Sequence, residues 1–162
     1  PYAVQICRRR VDSIDRDGTL ESLGGSTALL GLAIAQNNLG ESAAALGTIQ
    51  HAEAVTLAFE GRNPRSQNMR HIQLTRARIL TRLQRWDEAA SAFQEAIRLF
   101  ATRDPDTSGP RVNRIRVEWL EVLIEGNRQA EARALVEAGI ALQPEDAEYQ
   151  ERYQRAIAAL AG

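Results

Sequence analysis

Two apolar-periodic segments with almost nothing between them constrain this chain more than any other feature. Leu80 and Leu83 close the first; only Gln84 and Arg85 precede Trp86 in RWDEAASAFQEAIRLF, residues 85–100. Within that stretch Ala89, Phe93, Ala96, Ile97 and Phe100 recur at intervals of three and four, which puts apolar side chains along one face of a helix. Helices joined by so short a link fold back on each other as an antiparallel hairpin. Two of the stripe's members are alanines, so a neighbouring helix can approach closely there.

The rest of the chain reads in the same way. Residues 2–14 carry Ala3, Ile6, Cys7, Val11 and Ile14 on one face, a short helix, and residues 15–25 are a glycine-punctuated connection. A long segment from Ser26 to about Leu46 ends at Gly47, where a helix C-terminus favours a left-handed residue. Its partner, residues 48–60, has Ile49, Ala52, Val55 and Phe59 inward. Asn63 and Pro64 read as an N-cap and first-turn proline for a helix over about 64–83. After a polar connection near 101–110, Pro110 opens a helix to about Gly126 with Val117, Leu120, Leu123 and Ile124 apolar. Its partner, about 129–142, carries Ala132, Leu135, Val136, Gly139 and Ile140. Pro144, Glu145 and Asp146 then start a last helix to about Ala161, acidic where the helix dipole favours it. The expectation is an all-α fold of about eight helices, one domain over 1–162. It comprises a half hairpin at 2–14, hairpins at 26–60, 64–100 and 109–142, and a terminal helix at 145–161.

Charge and composition narrow the function. Twenty basic residues against 21 acidic leave a formal charge of −1, so no bulk field draws the protein to nucleic acid or an anionic membrane. All the basic residues are arginine, which removes lysine chemistry. No stretch approaches the roughly 18 consecutive apolar residues of a membrane span. The single cysteine, Cys7, cannot form an internal disulfide and suits a reducing compartment; the expected location is cytoplasmic. The sequence starts at Pro1 and not at Met, which suggests a trimmed piece of a larger protein.

The second helices align on a small residue, Ala52, Ala89 and Ala132. A larger side chain follows at four (Thr56, Phe93, Val136), and Phe59, Ala96 and Gly139 follow at seven. The spacings, 37 and 43 residues, are those of a helix-hairpin solenoid. A second register takes Leu39-Gly40 as the first turn and Ala45 as the small residue, with spacings of 44 and 43. Leaving NNLG inside a helix favours the first register; the seven-residue ambiguity stays open at the level of sequence.

These residues resemble the tetratricopeptide repeat family. The resemblance rests on Leu39-Gly40, Leu46-Gly47 and Ala52 in the first hairpin, and on Leu80, Leu83 and the WDEAASAFQEAI run in the second. In the third it rests on Leu123, Ala132, Val136, Gly139 and Pro144. It covers about residues 26–162, in the long-repeat variety of kinesin light chains and bacterial signalling proteins. Phe59 and Arg76 depart from it, standing where a small residue and a leucine are usual.

The resemblance implies a right-handed superhelix whose first helices line a concave groove for a peptide or partner helix. On that analogy the groove residues are Asn37, Asn38, Glu41 and Ala45 in the first hairpin. In the second they are Leu74, Thr75, Arg78 and Arg82, and in the third Val117, Glu118, Glu121 and Glu125. Elementary chemistry gives some of them a role. Arg78 and Arg82, four apart, present forked donors that suit carboxylates. Glu118, Glu121 and Glu125 share a face that can receive a basic segment, and the amide of Asn38 can hold a peptide backbone. Charged residues at helical spacing are also the ordinary make-up of a solvated face. The arginine and glutamate faces are equally suited to neutralise each other between adjacent hairpins.

Catalytic readings fare worse. DRDGTL, Asp15–Leu20, matches the aspartate signature of haloacid-dehalogenase-type phosphatases, but that chemistry needs a buried parallel strand before it and a later lysine. The segment also lacks the glutamate that closes a calcium loop. His51 and His71 are too isolated to make a zinc set with one cysteine, and Cys7 lies on an apolar stripe. Arg8, Arg9 and Arg10 read as a short solvated run. The expectation is therefore a non-enzymatic interaction scaffold for a protein or peptide, with no metal or cofactor and with solenoid ends that offer a route to self-association. The alternative is a regulatory or sensory segment of a larger bacterial signalling protein, acting intramolecularly or on a small ligand.

Overall fold

A computed structural model describes residues 2–61, 63, 66–103, 109–137 and 147–161. Among them lie eight helices and no strand: α1 (Tyr2–Arg16), α2 (Leu23–Asn38), α3 (Ser42–Glu60), α4 (Gln67–Arg82), α5 (Trp86–Arg103), α6 (Gly109–Glu125), α7 (Gln129–Glu137) and α8 (Ala147–Ala161). Pro64, residues 104–108 of the 101–110 connection, Gly139, Ile140 and the Pro144–Asp146 helix start lie outside the described residues. Each helix packs on the next as far as α6, which holds both α7 and α8; α2 also packs on α4, and α7 on α8.

Three of the connections are the same turn. Gly40, Gln84 and Asn127 each adopt a left-handed backbone, with φ of 83°, 57° and 58°. At each, the following residue's N–H reaches back to a helix carbonyl: Glu41 to Gln36, Arg85 to Leu80, and Arg128 to Leu123. The left-handed residue itself donates to Asn37, Thr81 and Ile124 respectively. This pair of bonds satisfies carbonyls that a helix end would otherwise leave bare. An alanine follows five residues after each left-handed residue, and Ala45, Ala89 and Ala132 are all fully buried.

The first hairpin therefore turns at Leu39-Gly40, which corrects the expected turn at Leu46-Gly47. Gly47 lies inside α3, where a helix tolerates glycine at about 1 kcal/mol relative to alanine. The period becomes 44 and then 43 residues, read from Gly40, Gln84 and Asn127. With this register Ile49, Phe93 and Val136 become equivalent, and Phe59 no longer departs from the pattern: its side chain is 57% exposed.

Smaller differences follow from caps and helix phase. Ser22 caps α2, its hydroxyl accepting from the Gly25 N–H at 3.1 Å, so the helix starts before the expected Ser26 and that residue is free of the cap. Ser66 caps α4 in the same way, accepting from the Met69 N–H at 3.0 Å. Ser66 lies 44 residues after Ser22, so the caps keep the period of the turns. The freed Ser26 is buried between α2 and α3, its hydroxyl 2.5 Å from that of Thr56. In α1 the inward face is Val4, Cys7, Val11 and Ile14, and Ala3 and Ile6 point to solvent. At the other end, Leu160 of α8 is buried in a second core cluster with Leu120, Leu123 and Ala132, and Tyr153 packs against that cluster. No described helix is long and apolar enough to cross a membrane.

Candidate functional site

The first-helix face is held together by its own charges. Arg78 of α4 forks onto Glu118 of α6, Nε donating at 2.9 Å and Nη2 at 2.8 Å. That bond is the main reason the Arg78 guanidinium sits above the usual arginine range, ahead of the opposing effect of burial. Arg152 of α8 forks onto Glu121 of α6 at 2.9 and 2.5 Å and lies 4.5 Å from the Tyr149 ring centre. Arg82 donates to the main-chain carbonyl of Asn37 at the C-terminal end of α2, where helix carbonyls attract a cation. The helices α2, α4, α6 and α8 are thus tied at three places along one face.

This places the sequence-predicted residues in different surroundings. Arg78 and Glu118 come together with each other, whereas Arg82 is spent on the Asn37 carbonyl and Glu121 on Arg152. Asn37 and Thr75, expected in the groove, are buried; the Asn37 side chain accepts from the Ser42 hydroxyl at 2.9 Å. Ala45, Leu74 and Val117 are core residues. Asn38, Glu41 and Glu125 remain exposed, Glu125 beside Arg155 on a small cavity of about 160 Å³.

Half in water, the Arg78–Glu118 pair is a modest tie. Arg78 is 49% and Glu118 14% exposed, and screened pairs of this kind contribute about 0.5–1 kcal/mol. A double-mutant cycle with Arg78→Ala and Glu118→Ala, read by urea denaturation, is expected to return a coupling in that range that shrinks as salt is raised.

A larger opening lies on the opposite side of α4, between α3 and α5. It encloses about 680 Å³, within the range of ligand clefts. Leu57 on α3 and Ala92 and Leu99 on α5 give it apolar walls, and Met69, Gln73 and Arg76 of α4 form its floor. Glu53 of α3 accepts from Gln73 Nε2 at 2.7 Å and from Arg76 Nη1 at 3.2 Å. On the rim Arg85 holds Glu88, Arg98 holds Glu95 and Arg128 reaches Asp87. The Arg85 hydrogen bond draws the Glu88 carboxyl below its ordinary range, and the more distant Arg76 adds to this. Sequence reasoning missed this groove. Its one signal was Arg76, which stands where the family resemblance has a leucine.

DRDGTL, the phosphatase-like run, ends α1 and turns on Gly18 at φ 68°, with Asp15 and Asp17 exposed. Among the described residues no three His, Cys, Asp or Glu side chains are grouped to hold a metal ion. Comparisons with protein-family profiles, with curated proteins and with solved structures find no match to this chain.

Proposed function

We propose that the chain is a tetratricopeptide-like helix-hairpin solenoid and acts as a non-catalytic scaffold that binds a peptide or helix of a partner protein. One observation carries the reading: the same two-bond turn, with a fully buried alanine five residues on, recurs after 44 and then 43 residues. Repetition of one hairpin generates an extended surface from local contacts alone, and such surfaces serve binding more readily than they assemble a catalytic constellation. The unpaired polar groups of the first-helix face, Asn38, Glu41 and Glu125, and the cleft between α3 and α5 are the surfaces open to a partner.

Panning a phage-displayed library of random 12-residue peptides on the whole chain tests this. The expected result is enrichment of related sequences that bind as free peptides with micromolar dissociation constants. Enrichment no better than on an unrelated helical protein contradicts the reading.

A further inference from the structure

The groove between α3 and α5 contains one hydrogen-bonding group that the fold leaves underused. Glu53, on its α3 wall, is engaged at both carboxylate oxygens, by Gln73 and by Arg76. Arg76 is not engaged to the same extent: Nη1 alone of its three nitrogens makes a hydrogen bond, to Glu53, and Nε has no partner. A guanidinium carries five N–H donors; with Nε buried, the donors left for the cleft are those of Nη1 and Nη2. The side chain keeps 29% of its surface exposed.

The surrounding charges fix what can meet those donors. Glu53 already balances Arg76, and Asp87, Glu88 and Glu95 stand on the α5 side. Arg85, Arg98 and Arg128 hold Glu88, Glu95 and Asp87 in turn, so the cleft has no net charge for a ligand ion to balance and the matching acceptor is uncharged. A peptide carbonyl fits, and the carbonyls of an extended chain are unspent, whereas those of a helix are consumed within it except in its last turn. The α5 wall from Asp87 to Leu99 is about 18 Å long at helical rise, which matches about five residues of extended chain. Leu57, Ala92 and Leu99 suit apolar side chains on that segment.

Building on the scaffold reading, the geometry points to this groove as the peptide site. Its occupant is an extended, uncharged, apolar segment of a partner protein, one carbonyl of which accepts from Arg76. The face engaged is the one between second helices. The first-helix face spends its charges holding the hairpins together.

Fluorescein-labelled peptides from the library selection, titrated against the whole chain by fluorescence anisotropy, test the assignment. Ser91, exposed on the α5 wall, is where a Trp would fill the cleft. Ser91→Trp is expected to raise Kd tenfold or more with the melting temperature unchanged. Arg76→Lys keeps a cation beside Glu53 and removes the fork, and is expected to raise Kd about tenfold. Ala130→Trp, exposed on α7, should leave Kd alone, and Asn38→Trp probes the competing first-helix face. Binding that survives Ser91→Trp and is lost in Asn38→Trp overturns the groove assignment and leaves the scaffold reading standing. Selected peptides that are acidic, or that become helical on binding by circular dichroism, also overturn it. Failure to enrich any peptide removes both.

Discussion

Phe93→Ala is expected to destabilise the protein by about 3–5 kcal/mol, the cost of deleting a fully buried aromatic side chain. Phe93 is 1% exposed and sits in the main core among residues of α3, α4, α5 and α6. It occupies the position that Ile49 fills in the preceding hairpin, so its ring fills space that a small residue leaves empty. The matched control is Phe59→Ala. Phe59 lies largely in solvent, and its loss is expected to cost no more than about 0.5 kcal/mol. Urea denaturation followed by circular dichroism measures both. A large effect at Phe59 with a small one at Phe93 would invert the packing described here.

Gly25→Ala is the second large effect, and it acts through the backbone. A Cβ at Gly25 would lie 1.8 Å from the carbonyl oxygen of Leu20 and 2.6 Å from its carbonyl carbon. Main chain cannot rotate away as a long side chain does, so either the first turn of α2 or the connection from α1 must move. The displacement also breaks the Ser22 cap, which bonds the Gly25 N–H. The expected cost is about 1–3 kcal/mol, typical of overpacking. Gly31, in the middle of the same helix, has nothing within 4 Å of its Cβ position. Gly31→Ala should stabilise by about 0.5–1 kcal/mol through helix propensity. Opposite shifts in melting temperature for two Gly→Ala changes six residues apart would be diagnostic of the close approach at Leu20.

Much of the architecture was legible because it is local. The Ala89–Phe93–Ala96–Phe100 stripe, the short Gln84-Arg85 link and the apolar face of α6 needed only periodicity and link length. The register of the first hairpin was harder, since Leu39-Gly40 and Leu46-Gly47 offer the same dipeptide seven residues apart, two helical turns. What separates them is the backbone at Gly40 and the bonds from Glu41 to Gln36, neither visible in composition. The near-equal 44 and 43 spacings were the available clue, and keeping NNLG within a helix weighed against it.

The site was less legible for a related reason. Arg78, Arg82, Glu118 and Glu121 were found as charged faces because each set lies on one helix. Their pairing across 31 to 45 residues depends on how hairpins stack. The burial of Asn37 and Thr75 likewise depends on contacts between helices. The groove between α3 and α5 is assembled from three helices, and only the misplaced-looking Arg76 marked it.

Backbone chemical shifts and amide exchange at Gly40 and Gly47 test the repeat itself most directly. The account predicts a positive-φ, non-helical Gly40 and a helical Gly47 whose amide exchanges slowly within a continuous helix from Ser42 to Glu60. A helical Gly40 together with a positive-φ Gly47 would move the first turn by seven residues and end the 44- and 43-residue repeat on which the proposed function stands.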